Sequence, residues 1–184
     1  MGEKRTRCAY LTSMDDIHYR DANQADAAAL AALFSDTFRE TFGHLYQPAD
    51  LAAFLAEHGA PSWVEQLRDR AFAIWIAESG GVPVGFAKLG PVKLPVEPSG
   101  PALELHQLYA VRQVRGSGVA AKLMDSLVQE ARTRGAQDLY LSVYTDNPRA
   151  RRFYTRYGFV DVGPCAFMVG SQADQDIIMR CSLN

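Results

Sequence analysis

The chain has 184 residues, a hydrophobic fraction of 48 %, a charged fraction of 22 % and a net charge of −2. That is enough chain for one domain with a full hydrophobic core, and the charge balance excludes nonspecific attraction to nucleic acid. No apolar run reaches the length of a membrane span, and the basic N-terminus lacks the uninterrupted apolar stretch of a secretory signal.

Residues 1–15 are polar and mixed, and read as a loose N-terminal segment ahead of a single domain over 16–184. A first strand is predicted at 17–20. Asn23 then offers an N-cap for a helix running to about residue 40, with Leu30, Leu33, Phe34 and Phe38 on its apolar side. Pro48 opens a second helical segment, 49–58, that Gly59 stops, and Pro61 with Ser62 opens a short third helix through Leu67. Segments 72–77 and 82–89 read as a hairpin turning at Ser79-Gly80-Gly81. Pro91, Pro95, Pro98 and Pro101 exclude regular structure over 90–101, so a long loop precedes a predicted strand at 103–111. The spacing of Leu123, Met124, Leu127, Val128 and Ala131 predicts a helix over 118–134, with Gly135 as its stop. A strand at 139–144, a helix after Asn147 and two final strands at 159–162 and 177–181 complete the order. The alternation predicts an α/β fold, a mixed sheet of about seven strands with helices on both faces. Cys8, Cys165 and Cys181 are odd in number and lack metal-ligand spacing, which fits reduced thiols in a cytoplasmic protein. His18, His44, His58 and His106 form no paired spacing either, so no metal site is expected.

The chemistry concentrates in the second half. Residues 112–120 read Arg-Gln-Val-Arg-Gly-Ser-Gly-Val-Ala, between a predicted strand and the clearest helix. A glycine-rich turn opening a helix presents unpaired backbone N–H groups backed by the positive end of the helix dipole, a ready phosphate site. Glycine lets the backbone approach phosphate oxygens without an intervening Cβ. The turn is not a P-loop, since no Gly-Lys-Ser/Thr closes it, and it lacks the spacing Gly-x-Gly-x-x-Gly. It does contain Gln/Arg-x-x-Gly-x-Gly/Ala in two registers, Gln113–Gly116–Gly118 and Arg115–Gly118–Ala120. The second is preferred because it runs on into Ala121-Lys122-Leu123-Met124. A further motif spans residues 147–159, Asn-Pro-Arg-Ala-Arg-Arg-Phe-Tyr-Thr-Arg-Tyr-Gly-Phe. It opens with an Asn N-cap and a Pro at the first helical position, and it ends at a Gly C-cap. Ala150, Phe153, Tyr154 and Tyr157 share one face of the helix between.

The two motifs, in this order and about thirty residues apart, resemble the acyl-CoA loop and the Asn-to-Gly-Phe helix of the GNAT N-acetyltransferase superfamily. The resemblance covers roughly residues 17–183, with specific motifs only over 103–159. It implies a mostly antiparallel central sheet splayed between its fourth and fifth strands, with acetyl-CoA as cosubstrate. The pantetheine arm would pair like an extra strand with Leu108, Tyr109 and Ala110. Arg115, Gly116, Ser117, Gly118, Val119 and Ala120 would cradle the pyrophosphate. Lys122, Arg149, Arg151, Arg152 and Arg156 would offer charge to the 3′-phosphate, or else form a solvated helix face. Tyr154 would be the general acid beside the sulfur, since a phenol of pKa about 10 keeps its proton at neutral pH. Its plain alternative is a packed aromatic. Asn147 is an N-cap to which the family adds cofactor contact. For the base, the resemblance points to Glu104, with His106 two residues on along the same strand face. Either would act through a water, and an exposed strand carboxylate is the plain alternative for Glu104.

A narrower resemblance, to the PaiA-like polyamine acetyltransferases, rests on Thr37-Phe38-Arg39-Glu40-Thr41-Phe42-Gly43, Asp50-Leu51 with Phe54-Leu55, Trp63, Phe167-Met168-Val169-Gly170 and Asp176-Ile177-Ile178-Met179. It implies a small cationic amine such as a polyamine as acceptor, and Asp36, Glu40, Asp50 and Glu57 are the acidic residues of the acceptor-side helices. The alternatives are an acetyltransferase for protein N-termini or lysines, one for an antibiotic or amino acid, and a noncatalytic acyl-CoA-binding module. A homodimer is compatible with the family; no nucleic-acid or membrane partner is expected.

Overall fold

In the computed structural model, which describes residues 16–183, the chain runs β1 (Ile17–Asp21), α1 (Ala27–Phe42), α2 (Pro48–Glu57), α3 (Ala60–Arg68), β2 (Ala73–Ser79), β3 (Val82–Gly90), β4 (Ala102–Ala110), α4 (Val119–Thr133), β5 (Asp138–Tyr144), α5 (Pro148–Arg156), β6 (Val160–Val169) and β7 (Gln172–Ser182). The segment expected to be loose, 1–15, and Cys8 within it, lie outside the described residues.

Local chemistry accounts for most of these boundaries. Asn23 and Asp26 form a reciprocal capping box around a 3₁₀ turn that leads into α1. Gly80 and Gly81, with φ of 58° and 79°, supply the two left-handed residues that a tight hairpin between β2 and β3 requires. Pro48 stands at the start of α2, where its missing N–H costs nothing. Among the described residues no helix is long and apolar enough to cross a membrane.

The seven strands form one sheet in the order β1-β2-β3-β4-β5-β7-β6, antiparallel at every step but β4–β5. Two cores result, one on each face. Phe34 and Phe38 of α1 and Trp63 of α3 pack over Ile76 and Phe86. On the other face, Leu123 and Leu127 of α4 pack over Leu89, Leu139 and Leu141.

Two features of the sheet position the site. β4 and β5 pair only at Ala102↔Asp138, Leu103↔Leu139 and Glu104↔Tyr140, and then diverge. β4 also carries a bulge: the register against β3 passes from Leu89↔Leu105 to Lys88↔Gln107, so His106 is the extra residue.

The last hairpin corrects the expected strand lengths. The predicted strands at 159–162 and 177–181 are the ends of a ten- and an eleven-residue strand that turn at Gly170. Gly163-Pro164 and the polar run 171–176 mask the alternation. Pro164 is tolerated because β6 is the sheet edge and its register shifts between Asp161 and Gly163.

Candidate active site

Beyond Glu104, the β4 edge that faces β5 has no strand partner among the described residues, so alternate residues over 105–110 turn their backbone N–H and C=O groups to the wedge; Ala110 C=O accepts from Arg115 Nε at 3.4 Å. The wedge is a cleft of about 280 Å³. Leu108, Tyr109 and Ala110 form one wall; Ser142, Val143 and Tyr144 of β5 form the other.

The glycine turn closes one end. Val111 N–H bonds to Val84 C=O at 2.9 Å, which fixes the chain as it leaves β4. A 3₁₀ turn follows at Arg112–Val114. Gly116 and Gly118 then take φ of 85° and 92°, and Gly118 is the N-cap of α4. A Cβ at either glycine would meet open space, so the left-handed backbone is what requires glycine there. The first helical bond of α4 is Lys122 N–H to Gly118 C=O, so the N–H groups of Val119, Ala120 and Ala121 have no partner inside the helix. Arg115 and Ala120 line the cleft, whereas Gln113 is exposed outside it. The Arg115 guanidinium is held by Glu40 of α1 at 3.2 and 3.3 Å, and Arg112 reaches the same carboxylate at 2.7 Å.

α5 supplies Tyr154. Asn147 caps this helix, its side-chain oxygen accepting from Ala150 N–H at 3.1 Å, and Pro148 opens it. Gly158, at φ 86°, ends it. The Tyr154 ring packs against Phe153 and Phe159 and faces the cleft. Burial pushes its phenol well above the usual tyrosine range, so the proton stays on oxygen at any physiological pH. Of the cationic group named from the sequence, only Arg149 joins Arg115 in the cleft wall. Lys122 and Arg152 are exposed, Arg151 pairs with Asp161 at 2.7 Å, and Arg156 lies over the Phe153 ring.

Glu104 lies elsewhere than the cleft lining. One carboxylate oxygen accepts from Lys93 N–H at 2.7 Å and Leu94 N–H at 3.2 Å, which ties down the proline-rich loop. The other is 3.2 Å from His106 Nδ1, and His106 Nε2 donates to Pro91 C=O at 2.9 Å. Burial lowers the His106 pKa to about 4 and raises that of Glu104. With Nε2 committed as donor, one proton held between Glu104 and Nδ1 satisfies both.

At the other end of the cleft stand residues that sequence reasoning did not assemble. Phe38, Phe42, Tyr46, Tyr144 and Phe167 form an aromatic wall. Phe38 stacks on Tyr46 at 6.0 Å, and Phe42 meets Tyr144 edge-on at 6.1 Å. Set into this wall are Asp174, 9 % exposed, and Asp176, 6 % exposed. The Tyr46 hydroxyl donates to Asp174, whose second oxygen takes Gln172 Nε2 at 2.9 Å. Asp176 is pushed up to about 6 by burial and by Asp174, against a hydrogen bond from the Ser142 hydroxyl. Gln107 Oε1, also on the cleft, is buried with no partner among the described residues. The acidic residues expected on the acceptor side lie apart from this end: Asp36 and Glu57 are exposed, Glu40 holds the two arginines, and Asp50 packs against Gly170. The sequence signal for the buried pair is Asp-x-Asp, two residues on one strand face, hidden in a segment too polar to read as a strand.

An α/β sheet wedged open beside a glycine turn, with a capped tyrosine helix against it, is the architecture of an acyl-group transferase. The family model described as Acetyltransferase (GNAT) family matches residues 27–159, and the chain belongs to that family. It is an N-acetyltransferase. It is 32 % identical over 155 residues to an uncharacterised N-acetyltransferase of Mycobacterium tuberculosis, covering 84 % of this chain and 96 % of that one. It is 39 % identical over 98 residues to N-acetyltransferase 8B of Rattus norvegicus, covering 53 % of this chain and 43 % of that one. Among solved structures, the PaiA N-acetyltransferase from Thermoplasma acidophilum in complex with coenzyme A has a TM-score of 0.74 at 17 % identity, covering 91 % of this chain and 99 % of that one.

Proposed function

We propose that this protein transfers the acetyl group of acetyl-CoA to a primary amine of a small cationic acceptor, a polyamine being the best fit, by direct transfer while both are bound. The observation that carries the acceptor class is the pair Asp174 and Asp176, buried in the aromatic end of the cleft with no Lys or Arg ion-paired to either among the described residues. Buried carboxylates without a countercharge are costly. An ammonium group relieves that cost, and the surrounding ring faces add cation–π attraction.

The residues present suit acetyl-CoA. In this reading the free edge of β4 at Leu108, Tyr109 and Ala110 takes the pantetheine amides. Arg115, Gly116, Ser117, Gly118, Val119 and Ala120 take the pyrophosphate on backbone N–H groups, and Asn147 and Tyr154 flank the thioester. The cosubstrate supplies an activated acetyl group. Tyr154 supplies the proton for the departing thiolate, from a phenol whose burial keeps it protonated. Glu104 fastens the loop that follows β3, and His106, which lines the cleft, is held between Glu104 and Pro91 with its pKa lowered to about 4 by burial; a more basic carboxylate stands at the other end of the cleft. The free thiols Cys165 and Cys181 suit a reducing, cytoplasmic setting.

The test is release of CoA thiol across a panel of spermidine, spermine, free amino acids and a peptide with a free N-terminus. Turnover with the polyamines and little with the peptide is expected. Turnover with the peptide alone would make the enzyme a protein acetyltransferase, and acetyl-CoA binding without turnover on any amine would leave only an acyl-CoA-binding module.

A further inference from the structure

We propose that Asp176 is the general base of this cleft, taking the proton from the acceptor's ammonium group while Asp174 holds the acceptor's charge beside it. The inference rests on the amine-acetylating reading above and assigns the step that reading leaves open.

Three observations lead here. The carboxylate on β4, Glu104, has both oxygens engaged by Lys93, Leu94 and His106 and is absent from the cleft wall. Asp176 lines the cleft, and in the sheet it stands opposite Tyr144, four residues beyond the last β5 residue that still pairs with β4. It is therefore on the open part of the wedge, where Tyr109 and Tyr154 also lie. Lastly, Gln107 Oε1 is buried on the same cleft with no partner among the described residues, an acceptor suited to an N–H of the incoming amine.

The groups facing Asp176 explain its fitness. They are Asp174 on its own strand, Cys165 of β6, Ser142 and Tyr144 of β5, Tyr46 after α1, and Tyr109 of β4. None is a cation. Burial and Asp174 together raise its pKa to about 6, so Asp176 is ionised at pH 7 yet more basic than an ordinary carboxylate. A base works best with its pKa near the working pH.

The step balances as follows. Asp176 accepts one proton from R–NH3+. The neutral nitrogen forms the N–C bond to the acetyl carbon, and the C–S bond breaks with its electron pair going to sulfur. Sulfur takes the Tyr154 proton, and the second proton lost from nitrogen restores the Tyr154 phenol. Asp176 then returns its proton to solvent, so the net products are acetamide, CoA thiol and one H+.

The experiment compares wild type, Asp176→Asn and Asp176→Glu on the best amine of the panel and on an analogue with a trifluoromethyl group on the carbon bearing the reacting amine, which is largely unprotonated at pH 7.5. Retained thermal stabilisation by acetyl-CoA shows that the variants fold and bind. Asp176→Asn should lose about 10² to 10⁴ in kcat on the parent amine and lose its dependence on a group of pKa near 6. The loss should shrink by roughly tenfold or more on the fluorinated amine, whose proton no longer needs removing. Asp176→Glu should keep the acidic limb. An equal loss on both amines, a change in KM alone, or no change would overturn the assignment. If the wild type acetylates neither amine, the broader reading fails and the base falls with it.

Discussion

At the residue scale, Tyr154 and Asp176 make opposite claims about what a buried oxygen costs. Tyr154→Phe removes one oxygen and keeps the ring packed against Phe153 and Phe159. Stability should hardly change, acetyl-CoA affinity should stay, and the single-turnover rate should fall by about 10² to 10⁴. A mutant at the wild-type rate would reduce Tyr154 to a packed aromatic. For Asp176 the folded pKa of about 6 exceeds the ordinary value of 3.8, so the folded state favours the proton. Its burial costs nothing below about pH 4, costs progressively more as pH rises toward 6, and reaches its full cost above that. The gap of about two units corresponds to on the order of 3 kcal/mol. Asp176→Asn should therefore melt higher than wild type at pH 7.5, and the difference should vanish near pH 4. A less active, more stable variant is what a functional carboxylate predicts; a less stable one would mean that Asp176 is needed for the fold.

Among the elements, the glycine turn and the proline loop are held by different means. Gly118 needs φ 92°, and a β-branched residue there is strained by about 1–3 kcal/mol. Gly118→Val should fold less stably and lose acetyl-CoA binding together, because the turn that aims the α4 N–H groups shifts; normal binding would mean the phosphate site lies elsewhere. The loop at 91–101 has four prolines, and its end is tied where Pro101 C=O accepts from Gln137 N–H at 2.7 Å. Its first half is held by Lys93 and Leu94 N–H groups on Glu104 and by His106 on Pro91. Glu104→Ala removes the first tie and the partner of the second. Faster hydrogen exchange at residues 91–101, with β2, β3 and β5 unchanged, is expected. Exchange unaltered in the loop would show that its prolines suffice.

For the molecule as a whole, the wedge is where two packed faces stop sharing one sheet. The α1–α3 face contributes the aromatic end, the α4–α5 face contributes the phosphate turn and Tyr154, and the ion pairs of Glu40 with Arg112 and Arg115 link the two. Anything that bridges the wedge adds its binding energy to the folded state. Acetyl-CoA at 100 times its Kd should add about 2.7 kcal/mol, which for a chain this long is a rise in Tm of several degrees. A scanning-fluorimetry titration to millimolar acetyl-CoA checks this, and a flat response would remove the basis of the proposed activity.

Element order, the two glycine-bearing turns and the capped tyrosine helix were determined by the sequence itself, because caps, glycine φ and helical spacing are decided within a few residues of chain. Asn23, Gly80-Gly81, Gly118 and Asn147 each stand where local chemistry requires them. The acceptor end of the cleft could not be read that way. Asp174 and Asp176 sit more than a hundred residues from Phe38 and Tyr46, on a strand that exists only because β5 and β6 hydrogen-bond it on both sides. Glu104, adjacent in pattern to the motif, is turned to the proline loop by the Lys93 and Leu94 N–H groups, and His106, on the cleft lining, donates to Pro91 C=O; no periodicity encodes where those backbone groups stand. Which carboxylates meet the cleft was settled by strand pairing and by the divergence of β4 from β5. Those are contacts between distant segments, and the low dielectric that raises Asp176 toward neutrality arises only once they are made.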